Sequence, residues 1–207
     1  MSKPFHLLYL HGFRSSPASA KARQTHARVR ELNAARSAAP LQWLCPQLPA
    51  SPRAAIDLAL TLTQDVDASR LALIGSSLGG FYATWLAARL GCRAALLNPA
   101  VDPARDLRAQ LGSQPCWHDP GLRFDFTATH VNELRALEVG ALDAPVPQAE
   151  RYLAVIARDD EVLDSAEMQA RYAGATLRLA ERGGHALDDY ATRHLDAVLA
   201  FLLPTDS

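Results

Sequence analysis

The chain has 207 residues, 49% of them apolar and 21% charged, with a formal net charge of -1 at pH 7. That size suits a single domain with one sizeable core, and the near-balance of charge gives no electrostatic case for nucleic acid or an anionic membrane as partner. The three cysteines, Cys45, Cys92 and Cys116, are odd in number and form no C-x-x-C pair, which argues against a disulfide framework or a cysteine zinc site and for reduced, mostly buried thiols.

Met1-Ser2-Lys3-Pro4 leads straight into the apolar run Phe5-His-Leu-Leu-Tyr-Leu10. The run is too short for a signal-peptide core and reads as a buried strand. No apolar stretch is long enough to span a bilayer, so the expected address is the cytosol. Residues 19–33, rich in Ala and Arg and free of Gly and Pro, predict a helix. Leu41 to Cys45 predicts a strand stopped by Pro46, and Pro52 to Asp65 a helix that starts on proline. Arg70-Leu-Ala-Leu-Ile-Gly75 is a continuous apolar strand. Leu78 to Leu90 follows as a helix apolar on nearly every side, with Gly91 as its stop. Strands follow at 93–98, 152–157 and 175–180, and residues 189–203 predict one amphipathic closing helix. Alternation of this kind specifies an α/β fold, a mostly parallel sheet with helices on both faces and ligands at the carboxyl ends of the strands. Residues 102–151 break the rhythm and read as a small cap above that edge, leaving and returning on the same side.

Gly75-Ser76-Ser77-Leu78-Gly79 is G-x-S-x-G placed between a strand and a helix, the setting of a nucleophile elbow with Ser77 as nucleophile. A serine hydroxyl needs a base, and His185 in Gly183-Gly184-His185 follows the last strand in the right chain order. The acid belongs at the end of the strand at 152–157, where Asp159, Asp160 and Glu161 compete. Asp102 is a further candidate, and Asp164 is placed as a helix cap. Two backbone N–H groups for an oxyanion are expected from Leu78 and from Phe13, in the turn His11-Gly12-Phe13. His11 is expected to shape that turn. His11, Gly12, Trp117 and Phe126 are placed on the substrate-binding wall. No histidine pair has metal-ligand spacing such as H-E-x-x-H, and neither metal nor cofactor is expected.

Leu8-Tyr-Leu-His-Gly-Phe13, Ser19-Ala-Lys-Ala22, Pro46-Gln-Leu-Pro49, Gly75 through Leu86, Asn98-Pro-Ala-Val101, Asp160-Glu-Val-Leu-Asp164 and Gly184-His-Ala186 together resemble the YqiA-like small bacterial esterases, a branch of the α/β-hydrolase fold. The resemblance implies a carboxylesterase acting on small-molecule esters of short or medium acyl length, or on acyl thioesters; separately, a monomer or small homo-oligomer is expected. The resemblance also implies that Asp160 is the triad acid. Two rival readings keep the fold and change the function: a catalytically silent binding protein for a small ligand, and a cofactor-free perhydrolase or lyase.

Overall fold

The computed structural model describes residues 3–35 and 39–204; Met1 and Ser2 lie outside them. In chain order the elements are β1 (Phe5–Leu10), α1 (Ala20–Ala35), β2 (Leu41–Leu44), α2 (Pro52–Thr63), β3 (Leu71–Ser76), α3 (Leu78–Leu90), β4 (Arg93–Leu97), α4 (Pro103–Asp106), β5 (Gly112–Pro115), β6 (Arg123–Phe126), α5 (Ala128–Arg135), β7 (Tyr152–Ala157), α6 (Ser165–Arg171), β8 (Thr176–Ala180) and α7 (Leu195–Leu202). Six strands form one sheet in the order β2-β1-β3-β4-β7-β8, and every neighbouring pair is parallel.

The continuous apolar strands explain the layering. Successive side chains of a strand face opposite sides, so a strand buried on both sides must be apolar throughout. Leu7, Tyr9, Ile74, Ala95 and Val155 join the cluster under α7 and the preceding turn, whereas Leu8, Leu73, Leu96 and Ile156 join the one under α2, α3 and α6. Full burial of each such aliphatic side chain is worth about 1.5–3 kcal/mol, and both faces of β1, β3, β4 and β7 are supplied with them. Among the described residues no helix is long and apolar enough to cross a membrane.

The strand order places the site. The chain leaves β1 toward β2 on one side, whereas β3 and β4 continue on the other, so the order reverses between β1 and β3. Ligands of open parallel sheets bind outside the strand ends at such a reversal, which here brings together the loop after β1 and the turn after β3.

Two expectations are corrected. Because β4 and β7 are parallel, with Ala94 opposite Tyr152, the chain re-enters the sheet at the edge opposite to the one it left. Residues 102–151 therefore do not return on one side. Their first half, α4 and the β5–β6 hairpin, includes residues that line a cavity with Ser77, and their second half, starting at α5, leads back to β7. The closing helix is also interrupted: Tyr190–His194 forms a π-turn before α7 begins.

Candidate active site

Ser77 sits at the junction of β3 and α3 with φ 54° and ψ -120°, a backbone conformation that non-glycine residues rarely adopt. Close packing holds the turn. A Cβ on Gly75 would lie 2.2 Å from the Gly79 carbonyl oxygen, and one on Gly79 would lie 2.0 Å from that of Leu10. Only glycine lets the start of α3 approach both β3 and β1 this closely. The Ser77 amide donates to the Leu97 carbonyl at 3.0 Å, and the Ser77 carbonyl accepts from Gly80 and Ala100 at 2.8 and 3.1 Å. Its backbone is thus fixed from three sides.

His185 lies on the loop after β8, 24% exposed in its side chain, and its Nδ1 is 2.9 Å from Oδ2 and 3.1 Å from Oδ1 of Asp160. The Asp160 side chain is fully covered. Burial alone would push its pKa up. The His185 contact, the Leu163 and Val162 amides and the nearby histidine charge outweigh that and hold the carboxyl below its ordinary range. An ionised carboxylate only accepts, so Nδ1–H donates and the Nε2 lone pair is left for another partner.

The competing acids have other work. Asp159 accepts from the amides of Gly184 and Gly183 at 2.9 and 3.3 Å, and Glu161 accepts from the His185 amide at 2.9 Å. Three consecutive acids therefore grip one loop, the outer two by its backbone and the middle one by the imidazole. Asp102 caps α4 by accepting from Arg105, and Asp164 caps α6 by accepting from Ala166.

His11 is buried, and the Leu48 amide donates to its Nε2 at 3.0 Å. Nδ1 must then carry the proton, which it donates to the Gly12 carbonyl at 3.0 Å. Burial lowers its pKa, so the ring is a neutral strut under the turn. A Cβ on Gly12 would stand 3.2 Å from the Ser77 Cβ, which places this turn directly beside the serine. Leu78 is the first residue of α3, so its N–H has no intrahelical acceptor. Among the described residues no backbone carbonyl takes up the amide of Phe13 or Leu78.

A cavity of about 350 Å³ is lined by Ser77, His185, Phe13, Arg14, Leu107 and Trp117, among others. A second, of about 190 Å³, is lined by His11, Gly12, Gln47, Tyr82 and Phe124 and shares Phe13, Arg14 and Leu78 with the first. Trp117 is 64% exposed at the mouth, with the Arg14 guanidinium 4.1 Å from its ring centre. Phe126 lines neither cavity. It is 1% exposed and packs edge-on against Phe13 at 5.1 Å between ring centres. Its expected place on the wall is corrected accordingly: alternation along β6 turns Phe124 and Phe126 to the same side, and both support Phe13.

Two residues next to the site escape a reading by motif. Asn98, fully buried with φ 43°, accepts from the Ala157 amide at 2.8 Å and donates to the carbonyls of Gly184 and His185 at 3.0 and 3.2 Å. Lys21 on α1 donates to the Ala186 carbonyl at 2.7 Å and reaches that of His185 at 3.4 Å. Both lie in segments that carry the resemblance, yet the partners of Asn98 are 59 to 87 positions away and those of Lys21 164 and 165, beyond any local pattern.

Residues 6–203 match the model of an uncharacterised protein family, UPF0227. Solved structures with the same fold include an alpha/beta hydrolase domain-containing protein 10 from mouse, at 15% identity and a TM-score of 0.67, covering 98% of this chain and 92% of that one. An alpha/beta superfamily hydrolase from Oenococcus oeni PSU-1 matches at 16% identity and 0.60, covering 98% and 94%. Est1E from Butyrivibrio proteoclasticus, with ferulic acid bound, matches at 14% identity and 0.65, covering 96% and 88%. The fold of this chain is that of the α/β-hydrolases.

Proposed function

The chain belongs to the UPF0227 family of YqiA-like proteins, and we propose that it is a serine hydrolase that cleaves small carboxylic esters, with thioesters as the closest alternative substrates. The observation that carries this reading is the Asp160–His185 pair at 2.9 Å opening on a cavity that Ser77 shares.

In this reading the Nε2 of His185 takes the Ser77 proton as Oγ attacks the ester carbonyl carbon. Asp160 holds the ring in the required tautomer and stabilises the imidazolium without taking the proton itself. The carbonyl oxygen, now an oxyanion, is stabilised by the Phe13 and Leu78 amides, which have no backbone carbonyl to serve instead. Collapse expels the alcohol, which receives the proton from His185, and leaves an acyl group on Ser77. Water, deprotonated by His185, attacks the acyl carbon; the acyl C–Oγ bond breaks, the carboxylic acid is released, and His185 returns the proton to Ser77. The α3 N-terminus favours the negative charge at the oxyanion. Trp117 and Leu107 are among the apolar residues that line the larger cavity.

The test is covalent labelling. A fluorophosphonate should modify Ser77, located by peptide mass, and Ser77→Ala should lose both the label and the turnover of nitrophenyl esters while keeping its melting temperature. Loss of about 10⁶-fold in kcat is the scale for a triad serine. A Ser77→Ala protein with near wild-type turnover would reject the assignment.

A further inference from the structure

The base loop of this site is held from below by a lysine that the proposed chemistry does not use. Lys21 lies in the first turn of α1, half-buried, and its ammonium reaches across to the loop that carries His185. Its Nζ donates to the Ala186 carbonyl at 2.7 Å and lies 3.4 Å from the His185 carbonyl. The latter carbonyl also accepts from Asn98 at 3.2 Å. The backbone of His185 is thus fixed at its amide by Glu161 and at its carbonyl by Asn98 and Lys21. Helix α1 is tied to the turn that follows the loop by the Thr25 hydroxyl, which meets the Tyr190 hydroxyl at 3.0 Å and, within the helix, donates to the Lys21 carbonyl at 2.7 Å.

We propose that Lys21 is a positioning residue that keeps His185 in register with Ser77 and makes turnover fall at alkaline pH. This rests on the reading of Ser77 and His185 as nucleophile and base. A charged donor makes a stronger hydrogen bond than a neutral one. When the ammonium loses its proton, the hold on the two carbonyls slackens and its attraction to Asp160 vanishes. Burial brings the Lys21 pKa down to about 8, against the smaller upward pull of Asp160 and Asp188. Other ionisable groups around it are already engaged. Tyr190 is bound to Thr25, Asp189 faces Arg193 and His194, and Arg28 pairs with Asp196 and Glu31.

Lys21→Met and Lys21→Arg separate this role from a merely structural one. Misplacing a reacting group by about 1 Å can cost on the order of 100-fold. Lys21→Met should therefore lower kcat for a nitrophenyl ester by about 10- to 100-fold with KM nearly unchanged. Wild-type kcat should fall with a midpoint near pH 8, Lys21→Met should lack that limb, and Lys21→Arg should restore most of kcat and stay flat through that range, since a guanidinium holds its proton. A readout independent of turnover is the His185 ring resonance followed by NMR, which should show a second inflection near pH 8 in the wild type and none in Lys21→Met. Should Lys21→Met not fold, the arginine variant carries the same comparison. A Lys21→Met kcat and pH profile superimposable on wild type overturns the inference, as does a His185 resonance without the second inflection. Absence of Ser77-dependent turnover in the wild-type protein instead overturns the esterase reading, and the resonance then decides for Lys21 alone.

Discussion

The turn that carries Ser77 and the loop that carries His185 are fixed by different physics. The serine turn is held by backbone: glycines at Gly75 and Gly79 permit approaches that a single methyl would block, and the Ser77 amide and carbonyl are tied into β4 and the segment after it. Nothing in that turn titrates. The histidine loop contains Gly183 and Gly184 in left-handed conformations and is held almost wholly by side chains, those of Asp159, Asp160, Glu161, Asn98 and Lys21. Four of these five are ionisable. One half of the site is thus set by shape and is indifferent to pH, while the other is set by charge and follows it.

The sharpest way to break this contrast is at the middle acid. Asp160→Asn keeps the shape and removes the charge, so the imidazole can settle in the wrong tautomer, and kcat should fall by about 10⁴-fold. Asp159→Asn and Glu161→Gln keep acceptors for the loop amides, and each should cost less than about tenfold if they act only on the backbone. Equal losses in all three, measured as kcat for one ester, would show that the loop is gripped as a unit with no privileged acid.

On the serine side the expected damage is to the fold. Gly79→Ala puts a methyl group 2.0 Å from the Leu10 oxygen, and backbone atoms on both sides cannot yield. Overpacking of this kind costs about 1–3 kcal/mol or more, which in a domain of this size lowers Tm by several degrees, at about 2–4 °C per kcal/mol. Thermal unfolding of the variant checks this, and an unchanged Tm would mean that the turn is softer than its contacts imply.

The smallest effect is the most diagnostic of the charged half. Lys21 releases its proton near pH 8 in the folded chain but only near 10.5 when unfolded. Between those values the unfolded chain binds more protons, so the wild type gains stability relative to Lys21→Met as pH rises. The Tm difference between the two should therefore shift in favour of the wild type by a few degrees from pH 7.5 to about 10.5. A difference that stays constant over that window would remove the lysine from the titrating set. Stability would rise over the range in which activity is expected to decline.

The serine half was the readable one. The apolar run before Gly75 and the nearly all-apolar helix after Leu78 can only be a buried strand and a buried helix, and the G-x-S-x-G between them carries its own geometry. The acid was different: three carboxylates in a row offer the same spacing, and only tertiary contacts divide ring from backbone among them. Asn98 and Lys21 carry no periodic signal, since their partners lie far along the chain. The β5–β6 hairpin was invisible because Gly112-Ser-Gln-Pro115 and Arg123-Phe-Asp-Phe126 are too short and too mixed to show a period. The sequence places Phe126 on the substrate-binding wall as an isolated aromatic of an irregular segment, and it is alternation in β6 that buries it.

The hairpin also has a consequence for how such proteins diverge. The Trp117 amide donates to the Arg14 carbonyl at 2.8 Å, and the Arg14 Nε donates to the Pro115 carbonyl at 2.9 Å. Arg14 adopts φ 61° in making this two-point splice, one residue after Phe13. The hairpin and the segment beside the serine are therefore joined at two points. Only the Arg14 side chain is particular to the sequence here, since segment 112–126 contributes backbone groups alone, so a chimera that exchanges 112–126 keeps both bonds wherever its backbone follows the same path. Residues 112–126 can therefore change their side chains beside the pocket while the seam to Arg14 stays closed, with the β3–α3 turn left untouched.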